Sequence, residues 1–214
     1  CCVQSSAFGF LFAGYRGISA RRRNHSADTG PIRAKRRGAE SRQVAVLPQG
    51  HGFLTMAISE KRVAVEVLQG RYALALDRHD MASWLKCFAP DGSYLCQSRE
   101  NFERGLPIGY MWDDRYARLQ DRVKTVNEVW KGTAEEYQSR HLVQTLAVVQ
   151  SDNDLLEATS NFLVLATTHR GDSQILATGE YVDRIRVKDN VAELVSRCAI
   201  LDQIVVPRYL VYPI

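Results

Sequence analysis

The segments HLVQTLAVVQ (141–150), LLEATSNFLVLATT (155–168), QILATGEYVDRIRV (174–187) and VAELVSRCAILDQIVV (191–206) decide the fold. Each is rich in β-branched, aliphatic and aromatic residues, which suit a pleated, half-buried surface. In the third segment Ile175, Ala177, Gly179, Tyr181, Asp183 and Ile185 share one parity, so one sheet face is expected to carry them. Between the runs lie Ser-Asp-Asn-Asp (151–154), Arg-Gly-Asp (170–172) and Lys-Asp-Asn (188–190), all turn chemistry. Three short connections in succession predict an antiparallel meander.

Upstream the period changes. From Ala57 to about Arg78, Val63, Val67, Leu68, Leu74 and Leu76 recur at helical spacing, with Glu60, Lys61, Arg62 and Glu66 between them. Asp80 is placed to cap a second, short helix carrying Met81, Trp84, Leu85 and Phe88. Pro90-Asp91-Gly92 reads as a turn, Ser93–Gln97 as a short strand and 98–111 as a loop. A third helix is expected over 113–130, with Tyr116, Leu119, Val123 and Val126 as its apolar stripe and Asp113 and Asp114 at its start. Lys131–Gln138 reads as a polar loop. Helices first and long strands after make an α+β pattern. Helices packed against a strongly curved, mostly antiparallel sheet would form a cone. That arrangement resembles the nuclear-transport-factor-2-like (NTF2-like, SnoaL-like) superfamily.

Charge divides the chain. Residues 1–55 hold nine Lys/Arg and two Asp/Glu, whereas 56–214 hold 19 and 22. The overall +4 therefore belongs to the N-terminal stretch, and the acidic remainder suggests no nucleic-acid partner. Residues 1–55 lack periodicity and contain no Met, the first Met of the sequence being Met56. They are expected to be a disordered leader, or upstream sequence translated from a start placed too early, with the folded domain at 56–214. No run of about 18 apolar residues occurs, so no membrane-spanning helix is expected. Five scattered Cys are not a disulfide framework, which favours a reducing, cytoplasmic setting.

The search for chemistry is mostly negative. A Rieske cluster needs Cys-x-His and Cys-x-x-His pairs, and no His lies near Cys87, Cys96 or Cys198. A facial iron triad needs two His and a carboxylate, and residues 56–214 contain only His79, His141 and His169. Nucleotide loops and a Gly-x-Ser-x-Gly elbow are absent. Acid–base chemistry inside a cone would need a His beside a carboxylate, and His141 with Asp91 or His79 with Asp80 are the candidates. The plainer expectations are a structural hydrogen bond for His141 and a helix cap for Asp80. Asp113, Asp114, Arg115, Arg118, Asp121 and Arg122 alternate in sign, which suits a solvated helix face or an interface. There Arg118 could meet Asp114 or Asp121.

Trp112-Asp113-Asp114-Arg115, Asp121-Arg122-Val123 and Ser139-Arg140-His141-Leu142-Val143 follow one another in a recognisable order. So do Trp84–Tyr94, Ser160–Val164, Leu201-Asp202-Gln203 and Pro207-Arg208. Together they resemble the small (beta) subunit of aromatic-ring-hydroxylating dioxygenases across 58–214. Gly109–Trp112, Ala177–Asp183 and Leu210–Ile214 look most like the terephthalate type. Lys131–Gln138 departs from it, lacking the Pro-rich loop of many members. The resemblance implies a Rieske alpha subunit as partner, in an alpha-three beta-three hexamer, served by an NADH-dependent reductase. The [2Fe-2S] cluster and mononuclear Fe(II) are then expected on alpha, with no catalytic, cofactor or metal residue here. Trp112, Asp114, Arg115, Asp121, Arg122, Arg140, His141 and Asp202 are carried over as structural or interface residues. The alternatives are a stand-alone lyase or isomerase with a His/Asp pair in the cone, and a homodimeric small-molecule-binding module.

Overall fold

A computed structural model describes residues 52–133, 135–151, 155–206 and 210–214, with backbone only for 52–59. The expectation for the N-terminal leader therefore falls outside the described residues, apart from 52–55. Helix α1 (Gly52–Asp77) is followed by α2 (Met81–Leu85), β1 (Phe88–Ser98), α3 (Arg99–Glu103), β2 (Met111–Asp113) and α4 (Tyr116–Lys124). A π-helix (Thr125–Trp130) then leads into β3 (Tyr137–Gln150), β4 (Leu155–Thr168), β5 (Ser173–Lys188) and β6 (Val191–Leu201). The strands form one sheet in the order β2-β1-β6-β5-β4-β3. All pairs are antiparallel except β1 with β6. This is the α+β, mostly antiparallel arrangement expected, and the meander β3–β6 is its body.

Curvature comes from irregular register. Pairing slips at Thr145/Ala147 in β3, at Val164/Leu165 against Ala177/Ile175, and at Arg184/Ile185 against Ser196/Leu194. Each extra residue bends its strand and reverses the parity beyond it. The slip at Leu176 turns that side chain inward and leaves Ile175 54% exposed, so Ile175 does not share the inner face with Ala177–Ile185. The slip at Val195 has a larger effect, because it brings Arg197 to the inner face with Ala192, Leu194 and Ala199. At the β5–β6 turn Asp189 and Asn190 have φ of 49° and 61°, the two left-handed residues of a tight hairpin.

Several elements differ from the sequence reading. Pro90-Asp91-Gly92 is not a turn between elements but a bulge within β1, where the register to β6 jumps from Phe88 to Ser93. The passage 98–111 holds α3 and reaches β2, which pairs Leu95 with Trp112. The third helix starts at Tyr116 rather than 113, because Asp113 closes β2, and its last turn is the π-helix. Its apolar stripe does face the core, with Leu119 and Val126 buried and Tyr116 and Val123 packed beside them. β6 ends at Leu201, not 206, and there the Asp202 N–H donates to Thr178 O while Gln203 Oε1 accepts from the Thr178 N–H. Helix α1 begins at Gly52 rather than Ala57, and of the expected stripe only Leu68 and Leu76 turn inward. Val65, Leu68, Gln69, Tyr72, Ala75 and Leu76 are buried, whereas Val63, Val67 and Leu74 stay about half exposed. The helix is apolar on two sides, and spacing alone did not say which side meets the sheet.

Candidate functional site

The concave side of the sheet is occupied by a polar cluster walled by aromatic rings. Arg197 donates from Nε to Asp183 Oδ1 at 2.9 Å and from Nη2 to Asp183 Oδ2 at 2.7 Å. Gln69 of α1 closes the triangle, accepting from Arg197 Nη2 and donating to Asp183 Oδ2 at 2.9 Å. The guanidinium lies 4.0 Å from the centroids of both Tyr72 and Tyr181, in the corner made by their edge-to-face contact. Both charged side chains are 0% exposed. Burial works against the arginine's charge, but the Asp183 carboxylate outweighs it and holds the pKa above the ordinary value. Burial pushes the Tyr72 hydroxyl up to about 12. Tyr72 donates to Ile214 O at 2.8 Å, so the last residues return into this interior. Trp84, Phe88, Tyr94 and Phe162 complete the packing. The groups inside are a fixed cation and a fixed anion neutralising each other, not a proton donor facing a base.

The candidate acid–base pairs do not form. Asp91 binds Arg186 through both oxygens at 2.8 Å, and that guanidinium lowers its pKa to about 2. Asp80 accepts from Ser83 N at 3.0 Å, the helix cap that was expected. His79 stacks instead on Tyr212, 4.2 Å between centroids. His141 finds a carboxylate that spacing had not indicated, Asp77 at the end of α1, with Nδ1 to Oδ1 at 2.7 Å. The same carboxylate also accepts the His141 N–H, so the contact ties helix α1 to β3. The imidazole is 2% exposed. His169 lies across from Glu135 at 3.4 Å on the surface.

The other motif residues lie along the rim. Trp112 on β2 is 45% exposed. Asp113, expected at the start of the third helix on its charged face, instead closes β2, is 4% exposed and grips Arg122 through both oxygens at 2.9 and 3.0 Å. Arg122 thus leaves the alternating helix face and ties α4 to β2. Arg118 meets Asp114 at 3.5 Å, and the alternative through Asp121 does not form among the described residues. Arg115, Asp121 and Arg140 are exposed. Arg99 binds Asp202 at 2.8 Å and reaches Glu180 at 3.6 Å, which pins the chain where β6 ends.

No group of three or more His, Cys, Asp or Glu is disposed to hold a metal among the described residues. Burial pushes the Cys96 thiol up to about 12 and raises those of Cys87 and Cys198, so none is held as a thiolate nucleophile. No helix is long and apolar enough to cross a membrane among the described residues.

Sequence reasoning missed Arg197 and Gln69. Asp183 was visible as a carboxylate among apolar neighbours of one parity, and a buried carboxylate needs a partner. The partner lay beyond a bulge, on a residue whose parity pointed outward.

Comparison with known proteins agrees with this geometry. The family model described as Ring hydroxylating beta subunit matches residues 71–208. The chain is 26% identical over 152 residues to subunit beta 2 of the terminal oxygenase component of terephthalate 1,2-dioxygenase from Comamonas sp., covering 71% of this chain and 97% of that one. It is 30% identical over 121 residues to the anthranilate 1,2-dioxygenase small subunit of Burkholderia cepacia, covering 56% and 74%. A solved structure from Novosphingobium aromaticivorans, assigned as the beta subunit of an aromatic-ring-hydroxylating dioxygenase, aligns with a TM-score of 0.62 at 27% identity. It covers 72% of this chain and 95% of its own.

Proposed function

The chain belongs to the ring-hydroxylating beta subunit family, and from that premise we propose that it scaffolds a two-component oxygenase, holding alpha subunits in register while they dihydroxylate an aromatic compound. The Rieske [2Fe-2S] cluster, the mononuclear Fe(II) and the substrate pocket then belong to alpha, where Cys/His and His/carboxylate donors can be assembled. The described residues of this chain do not fit either group, so no chemical step runs through them. A reductase supplies electrons from NADH, the assembly is an alpha-three beta-three hexamer, and it works in the cytoplasm. An aryl carboxylate is the proposed substrate class, because the relatives at 26% and 30% identity are named for terephthalate and anthranilate, both aromatic acids.

One observation carries the assembly role. Val63, Val67 and Leu74 on α1 and Leu142, Leu146 and Val149 on β3 are each between 47 and 59% exposed. β3 is also an edge strand, where aliphatic side chains and open backbone groups invite a partner. Co-expression with the cognate alpha subunit should give one coeluting complex. The paired substitutions Leu142→Asp and Leu146→Asp should abolish coelution while the circular dichroism of the chain stays unchanged. A fully active alpha oligomer lacking this chain, or turnover by this chain alone, overturns the proposal.

A further inference from the structure

Two clefts flank the C-terminal half of α1 and share Leu74 and Arg78. One, of about 490 Å3, separates the end of α1 from the start of β3 and is edged by Arg140. The other, of about 210 Å3, lies between α1 and α2 and is edged by Arg71 and Lys86. Four cations thus surround one leucine that is 49% exposed. The two carboxylates lining the clefts are already engaged. Asp77 meets the N–H and the imidazole of His141, and Asp80 accepts from Ser83 N. None of the four cations is in a salt bridge among the described residues. Arg71 donates to Lys86 O at 3.3 Å and Arg140 to Ser139 O at 3.0 Å, both backbone carbonyls. All four side chains are on exposed residues. Residues 56–214 hold 19 Lys/Arg against 22 Asp/Glu, so this concentration of unpaired positive charge is not the average of the domain surface.

Unpaired cations around an apolar residue suit a protein surface rather than a small ion. Arginine forks hold carboxylates through two bonds, and opposite charge speeds encounter and fixes register. The patch is continuous with the apolar face of α1 and β3. Leu74 belongs to both, and Leu142 follows Arg140 two places along the same edge strand, on the same face. We infer that the alpha subunit docks here through an acidic segment. Its Asp or Glu side chains pair with Arg78, Lys86 and Arg140 while its apolar residues cover Leu74 and Leu142. This rests on the scaffolding role and adds the chemistry of the partner surface.

Carbodiimide coupling of the co-purified complex, which joins a lysine amine to a carboxylate in contact with it, tests the inference. Lys86 reports directly, while Arg78→Lys and Arg140→Lys keep the charge and add amines at the other two positions. Mass spectrometry should find these lysines joined to Asp or Glu of the alpha subunit. Arg78 and Arg140 are exposed, so the paired substitutions Arg78→Glu and Arg140→Glu should leave the circular dichroism unchanged. They should slow association with alpha about tenfold at low ionic strength and reduce its dependence on salt. A complex that forms but yields no such cross-link, or cross-links to a second copy of this chain instead, overturns the inference and leaves the scaffolding role standing. An association rate unchanged by the charge reversals does the same. Absence of any complex overturns both.

Discussion

The concave interior and the α4 rim both hold arginine–aspartate pairs, and the two regions use them differently. Inside, Arg197 and Asp183 are fully buried and meet Gln69 and two tyrosine faces. On the rim, Asp114 and Arg118 are 50 and 54% exposed and touch at 3.5 Å. Arg122 with Asp113 lies between, at 21 and 6% of side-chain surface. Water decides what each contact is worth. The exposed pair exchanges one solvated arrangement for another, so its net value is small. The buried pair has given up its hydration, so either partner left alone is a stranded charge. The interior pair therefore specifies how α1 sits on the sheet, whereas the rim pair leaves the surface free for other contacts.

The largest effect is expected from Arg197→Met, which strands Asp183 in the core and should cost about 3–5 kcal/mol in denaturant unfolding. Adding Asp183→Leu should recover most of that loss, and failure to recover would show that the contacts of the guanidinium with the two tyrosine rings rather than charge pairing dominate. Gly179→Ala comes next. An added Cβ would lie 1.9 Å from Ile200 O, so β5 must move from β6, at a cost of about 1–3 kcal/mol. Arg122→Ala leaves the 4%-exposed Asp113 without its partner and should cost about 1–2 kcal/mol. Asp114→Asn should change stability by at most about 0.5 kcal/mol and remove little beyond a salt-sensitive contribution.

The smallest effect is one of pH. Burial holds the folded His79 pKa below the unfolded value of about 6.5, so below that pH the unfolded chain binds more protons. Stability should be fully present above about pH 6.5 and decline as the pH falls toward the folded pKa. His79→Gln should flatten that slope in a series of unfolding curves.

Much of the fold was legible because helices and strands repeat locally. The meander, the Asp80 cap and the apolar stripe of α4 all rest on residues within a few positions of one another. The motif order from Trp84 to Asp202 likewise pointed to the family. Less of the site was legible. His141 was expected to make a structural bond, but its partner Asp77 lies 64 positions away. Arg122 was read with its helix neighbours, yet it turns to Asp113 across an element boundary.

The amino-acid order by itself determined that the chain coils first and then extends as a meander, and where β4 turns into β5 and β5 into β6, since backbone sterics and side-chain period act over a few residues. Tertiary structure alone decided which side of α1 meets the sheet and which strand residues face inward. A period of two cannot register an inserted residue, and one bulge at Val195 is enough to bring Arg197 to the inner face, against Asp183.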